Sequence, residues 1–182
     1  MYVDIFNTDK RYKTIYADPP WYEHGGGKIQ RGADRHYKLM KTEDIKKLPI
    51  QNLADDSCHL YLWATNNHLK DAFEVMDAWG FEYKTIITWM KDRIGLGQYF
   101  RGNTEHCLFG RKGKMLPYKV DENNKRSQGV TGFTAPRKQH SQKPEEMREM
   151  IEKVSYPDRI ELFARESADG WDCWGDDESI KE

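Results

Sequence analysis

Leu, Ile, Val and Phe supply only 33 of the 182 residues, a share that in a highly charged chain would signal disorder. The formal net charge is only −1, however, and six Trp with ten Tyr provide ring area in place of the missing aliphatics. The length suits one domain with a real core and is short for two. No apolar run approaches the ~18 residues that a membrane span needs. The start, Met1-Tyr2-Val3-Asp4, lacks the charged and apolar regions of a secretory signal. A cytoplasmic protein without membrane contact is therefore expected. Three cysteines, Cys58, Cys107 and Cys173, are odd in number and far apart, which argues against a disulfide framework or a zinc cluster. His24, His36 and His140 have no second ligand at helical spacing. Gly25-Gly26-Gly27 does not make a GxGxxG fingerprint and reads as a loop.

The near-neutral total hides a strong segregation. Residues 1–90 carry 12 basic and 13 acidic side chains, residues 91–143 carry 12 and 4, and residues 144–182 carry 5 and 13. The middle is thus +8 and the end −8. A basic stretch interleaved with Tyr99, Phe100, Tyr118 and Phe133 suits a polyanion with stackable bases, although a solvated lysine-rich surface has the same composition. The acidic end lacks calcium-loop spacing and reads as a solubilising edge.

Periodicity gives alternating strands and helices. Thr14 to Ala17, His59 to Ala64, Glu82 to Trp89, Glu105 to Gly110 and Arg159 to Ala164 read as strands. Leu69, Ala72, Phe73, Met76 and Trp79 recur at helical spacing, with Asn66 or Asn67 as cap and Gly80 as stop. Pro144 opens a second helix, with Met147, Met150, Ile151 and Val154 on its apolar face. A short helix follows Thr42, turns Ile45 and Leu48 inward and ends at Pro49. Strands separated by helices predict an α/β fold with a mostly parallel central sheet covered on both faces. Residues 111–141 lack periodicity and read as one long functional loop.

One motif carries chemistry. Asp18-Pro19-Pro20-Trp21 directly follows a predicted strand, where open parallel sheets place their ligand crevice. Two prolines stiffen the loop and leave a carboxylate beside an aromatic plane. The exocyclic amine of a planar base is a poor nucleophile because its lone pair is delocalised into the ring. The Asp18 carboxylate and a proline carbonyl can accept its two N–H bonds and concentrate electron density on nitrogen. Trp21 or Tyr22 can stack on the ring.

In order along the chain, YADPPW (16–21), HYKLMKTEDIKKLPI (36–50), LYLWATN (60–66), WGFEYKTIITWMK (79–91), GNTEHCLFGRKG (102–113), HSQKPEEMREMIE (140–152), RIELFAR (159–165) and GWDCWGDD (170–177) resemble the DPPW family of mRNA and DNA adenine N6-methyltransferases. The resemblance covers almost the whole chain. It implies a single Rossmann-like S-adenosylmethionine-dependent domain over 1–182 with permuted motif order, catalytic motif first and cofactor strand last. By the same resemblance Asp18, Pro19, Pro20 and Trp21 form the catalytic loop, with Asp18 also near the methionine part of the cofactor. Lys143 faces the cofactor carboxylate, as a fixed cation facing an anion. Phe163 and Arg165 line the cofactor pocket, Asp176 and Asp177 hold the ribose hydroxyls, and Asp4 and Ile5 flank the adenine. Tyr37 and Glu105 contact the substrate adenosine. Residues 163–169 (FARESAD) depart from the FxGxG loop of many DNA methyltransferases.

The implied reaction is transfer of a methyl group from S-adenosylmethionine to the N6 amine of adenine in nucleic acid, with DNA favoured by compactness and RNA as the alternative. A catalytically silent nucleic-acid-binding or scaffold relative is the other reading, and an altered DPPW motif would mark it. No metal is expected, since the sulfonium is already an activated donor. With no separate recognition domain expected, target choice falls to 91–141 or to a partner, or is slight; a homodimer or a partner subunit is the expected assembly. Lys112 and Lys114, with Arg111, Lys119, Lys125 and Arg126, are expected to hold phosphates beside the active-site mouth.

Overall fold

Side chains that alternate along each strand send one apolar row to each face of a sheet, so both faces need cover. A computed structural model describes residues 1–22, 39–138 and 142–175 of the chain. The elements in order are β1 (Tyr12–Ala17), α1 (Thr42–Lys46), α2 (Ile50–Leu53), β2 (Ala54–Ala64), α3 (Leu69–Ala78), β3 (Glu82–Lys91), β4 (Thr104–Lys112), β5 (Gly132–Ala135), α4 (Glu145–Val154), β6 (Arg159–Leu162) and β7 (Asp172–Trp174). The strands form one sheet in the order β5-β3-β4-β2-β1-β6-β7. Every neighbouring pair is parallel except the two that β4 makes with β2 and β3.

The register separates two cores. Ile15, Ala17, Leu60, Leu62 and Leu108 face Ile45 of α1, Ile50 and Leu53 of α2, and Ala72, Val75 and Met76 of α3. Tyr16, Tyr61, Trp63 and Cys107, one residue out of phase, face Met147 and Ile151 of α4. The expected α/β architecture with helices on both faces is what the chain adopts. The aromatic-for-aliphatic exchange is visible too, with Trp63, Trp79 and Trp89 among the largest fully buried side chains. Each indole N–H finds an acceptor: Trp63 on Tyr16, Trp79 on the Ile45 carbonyl and Trp89 on the Ala135 carbonyl.

Several local expectations shift. β2 starts at Ala54, which pairs with Tyr12 of β1, and the polar Asp55, Asp56 and Ser57 that follow are half-buried or exposed. β6 stops at Leu162, since Phe163 turns into the left-handed region with φ +61°. Pro144 is the residue before the first turn of α4 and not inside it. Neither Asn66 nor Asn67 caps α3 by side chain; both sit in a 3-10 turn, Asn66–His68. Asn66 instead accepts from His106 Nε2 at 2.6 Å and donates to Thr104 at 3.2 Å. The supposed loop 111–141 contains the end of β4 and all of β5, a four-residue edge strand too short to show periodicity. The three-residue β7 was equally unreadable in advance. All three cysteines are buried and free.

Candidate active site

The carboxyl ends of β1, β2, β3, β5 and β6 lie on one edge of the sheet, and the start of antiparallel β4 joins them there. Met90 pairs with Thr104, and Ala64 with His106. Four charged side chains converge at this edge from four segments. Asp18 leaves the end of β1, Lys91 ends β3, Glu105 is the second residue of β4 and Lys143 precedes α4. Lys143 Nζ is 2.8 Å from Asp18 Oδ2 and 3.5 Å from Glu105 Oε1. Lys91 Nζ holds the other Glu105 oxygen at 2.9 Å. The result is a row of alternating sign: Asp18, Lys143, Glu105, Lys91.

The row is largely shielded from solvent, so its members depend on one another. Burial disfavours the Lys143 ammonium, but Asp18 and Glu105 outweigh that cost and raise its pKa above the ordinary value. Burial likewise pushes Glu105 up, while Lys143 and then Lys91 outweigh it and hold the carboxyl below the ordinary value. Lys143 also lies 5.5 Å from the Trp63 ring, a cation–π arrangement that steadies the ammonium.

The Asp18-Pro19-Pro20-Trp21 turn is fixed by its own backbone. Trp21 N donates to the Pro19 carbonyl at 2.9 Å, Met40 N to the Pro20 carbonyl at 2.8 Å and Tyr22 N to the Met40 carbonyl at 3.0 Å. Each proline carbonyl keeps a second lone pair. The two expected stacking rings differ in their commitments. Trp21 is only 8% exposed, donates its Nε1–H to the Trp63 carbonyl at 3.0 Å and stacks on His68. It belongs to the packing that anchors the loop, whereas Tyr22 is 44% exposed.

Beside this row a cleft runs between the ends of β1 and β6 and the start of α4. Asp18, Lys143, Arg148, Glu161, Phe163 and Arg165 are among its walls. Arg148 pairs with Glu161 at 2.7 Å, and one of its buried guanidinium nitrogens, Nη1, has no partner. Burial raises the Glu161 pKa despite Arg148. Phe163 stands edge-on to Trp174, which meets Phe6 in the same way. That chain of rings brings the Asp4–Ile5 turn toward the end of β6. Ile5 is buried, and the Asp4 carboxylate accepts from Phe6 N and Asn7 Nδ2.

Of the residues expected in a site, Asp18, Lys143, Glu105, Phe163 and Arg165 converge at one edge. Tyr37, Asp176 and Asp177 lie outside the described residues, as do His24, the three glycines 25–27, His36 and His140. Lys112 and Lys114 do not flank the mouth. β4 is antiparallel, and Lys112, its last residue, pairs with Cys58 in the first half of β2, about 24 Å along the strand from Glu105. Lys119 is also away from the mouth, donating to the Glu152 and Ser155 carbonyls at the end of α4 opposite Lys143. Lys125 and Arg126 share its hairpin, since Ser127 N bonds the Lys119 carbonyl. The expectation assumed a contiguous basic surface, whereas the antiparallel strand carries half of it to the opposite edge. Lys91, Arg148 and Glu161 were missed. A carboxylate inside the apolar strand RIELFA, and a basic residue on the helix packed over it, were the signals available.

The MT-A70 family model matches residues 12–177. The Type II methyltransferase M.MunI of a Mycoplasma species is 34% identical, over 91% of this chain and 77% of its own length. The human N(6)-adenosine-methyltransferase catalytic subunit METTL3 is 30% identical over 90% of this chain. The mouse N(6)-adenine-specific methyltransferase METTL4 is 27% identical over 95%. The chain spans only 27% and 39% of those two proteins.

Proposed function

The chain belongs to the MT-A70 family, and from that premise we propose that it methylates the N6 amine of adenine in DNA, with S-adenosylmethionine as donor. The observation that carries the reading is the Asp18 carboxylate, held by Lys143 at the lip of a cleft with walls of both signs. Such a cleft fits the donor. Lys143 and Arg165 suit a carboxylate, Asp18 and Glu161 suit an ammonium, and Phe163 gives an apolar wall. When bound, the donor supplies an electrophilic sulfonium methyl.

The chain's own residues do the rest. Asp18 accepts an N–H of the target amine through the lone pairs that Lys143 leaves free, raising electron density on nitrogen and opposing the positive charge it develops. A proline carbonyl of the rigid loop accepts the second N–H. Tyr22 offers a ring to the base, and Glu105 orients the nucleoside from the other side of Lys143. Positioning of the amine within about 3–3.5 Å of the methyl carbon is the main contribution required. DNA is favoured because the chain matches a Type II methyltransferase along most of its length. The adenosine methyltransferases it resembles carry much more chain. A cytoplasmic location in a bacterial or phage-infected cell fits such an enzyme, acting alone, as a second-copy dimer or with a partner subunit.

The test uses labelled donor with duplex DNA, single-stranded DNA and RNA of matched sequence, reading N6-methyladenine by mass spectrometry. DNA should exceed RNA by about 10-fold or more. A preference for RNA would move the substrate to the alternative, and no N6-methyladenine on any of the three would overturn the activity.

Phosphate contacts are reassigned with the geometry. Arg137 and Lys138 directly follow β5 on the site edge, where Arg137 N bonds Asp92 at 2.8 Å. Neutralising both should flatten the log–log salt dependence of duplex affinity by about two units. Neutralising Lys112 and Lys114 should leave that slope as it is. The opposite pattern, measured at several salt concentrations, would return the phosphate track to the far edge.

A further inference from the structure

The β3–β4 connection, residues 92–103, rises from the site edge on stems that carry Lys91 and Glu105. It is built as a formed hairpin and not as slack chain. Lys91 N bonds the Asn103 carbonyl at 2.7 Å, Gly95 N bonds the Gly102 carbonyl at 2.6 Å, and the Arg101 side chain donates to the Gly95 carbonyl at 3.0 Å. At the tip the chain folds so tightly that a Cβ on Gly97 would fall 1.9 Å from the Phe100 carbonyl oxygen. This turn presents Tyr99 and Phe100 at 92% and 93% exposure. The other rings of the basic middle are occupied. Tyr118 lies under Arg126, and Phe133 packs on the core.

Two fully exposed rings on a pre-shaped turn cost solvation without return unless something covers them. Charge identifies the occupant. From 93 to 104 there is no carboxylate, and Arg93 and Arg101 flank the pair of rings. Arginines beside exposed aromatics suit a phosphate backbone with stackable bases. The reach fits as well. Five chain steps lead from Phe100 to Glu105, up to about 17 Å of extended chain, longer than the ~12 Å width of the major groove.

We propose that the 92–103 hairpin is a base-stacking wedge, in which Tyr99 and Phe100 fill the gap left when the target adenine leaves a duplex for the Asp18 site. This rests on the nucleic-acid reading above and deepens it. A duplex target must be unstacked at a cost of a few kcal/mol, and inserted rings replace the lost stacking. A single strand, whose base is already free, has no such need.

The experiment compares mixed-sequence duplex DNA with the same DNA heat-denatured, counting N6-methyladenine formed by the wild type, by Tyr99→Ala/Phe100→Ala and by Gly97→Ala. The double variant alters only exposed side chains, and Gly97→Ala keeps both rings while displacing the turn. Both variants should lose about 10-fold or more on duplex and stay within about two-fold of wild type on denatured DNA. Equal loss on both substrates, or no loss on duplex, would overturn the wedge while leaving the methyltransferase reading intact. A wild-type dimer that becomes monomeric in the double variant, by size-exclusion chromatography, would overturn it in favour of an interface between copies. A wild type that methylates neither substrate would remove both proposals together.

Discussion

Asp18→Ala should lower methyl transfer at least about 100-fold, and Asp18→Asn should be nearly as damaging. Removing one preorganised contact to charge that develops in a transition state typically costs that much. The asparagine case is the sharper one. Lys143 donates to Asp18 Oδ2 at 2.8 Å, so in Asp18→Asn the single amide oxygen turns toward the ammonium. The amide NH2 is then left facing the target amine, donor against donor. The fold should survive either change. Asp18 sits beyond the end of β1, and Lys143 keeps Glu105 at 3.5 Å, so no buried charge is stranded. Thermal unfolding within a few degrees of wild type, together with the collapse in turnover, is the expected pair of results. A variant with near-normal turnover would take Asp18 out of the chemistry.

That argument needs the order of charges at the sheet edge, which the sequence reveals only in pieces. The strands around the site were readable because Thr14 to Ala17 and His59 to Ala64 are apolar runs bounded by polar or proline residues, and period-2 patterns survive without tertiary information. The DPPW turn was readable because proline and aromatic chemistry mark it locally. The direction of β4 was not. A strand's apolar pattern is the same whether it runs parallel or antiparallel, yet direction decides whether Lys112 lies at the site or about 24 Å away. The pairing of Lys143 with Asp18 was equally hidden, because 125 positions of chain separate them and only the fold joins the loop after β1 to the loop before α4. Trp21 looked like a stacking plate. Its burial depends on the Trp63 carbonyl and the His68 ring, partners that no local pattern shows.

Lys143→Met should strike cofactor binding and turnover together, for one electrostatic reason. The ammonium is the proposed partner of the cofactor carboxylate, and a charge-assisted hydrogen bond contributes about 1.5–3 kcal/mol. Affinity for S-adenosylmethionine by calorimetry should therefore fall about 10- to 150-fold. Turnover at saturating cofactor should fall as well, since Asp18 loses the bond that orients it. The same substitution has a signature in pH. Glu105 has its pKa held below the ordinary 4.5, so its contribution to stability is present above 4.5 and disappears as pH falls through the folded-state value. Lys143 has its pKa raised above the ordinary 10.5, so its contribution is complete below 10.5 and is lost as pH rises through the folded-state value. Between those limits Glu105 and Lys143 are both ionised. In Lys143→Met, Glu105 retains only Lys91 against the burial that pushes its pKa up, so acid destabilisation should begin at higher pH than in wild type. Lys143→Arg keeps a charge between the carboxylates and should restore the acid limb. It should restore cofactor affinity only in part, because a planar guanidinium does not fit a socket shaped for a compact ammonium. Melting temperature against pH, read beside calorimetry for the three proteins, separates these effects. Unchanged affinity in Lys143→Met would detach the lysine from the cofactor and leave it a purely structural member of the row.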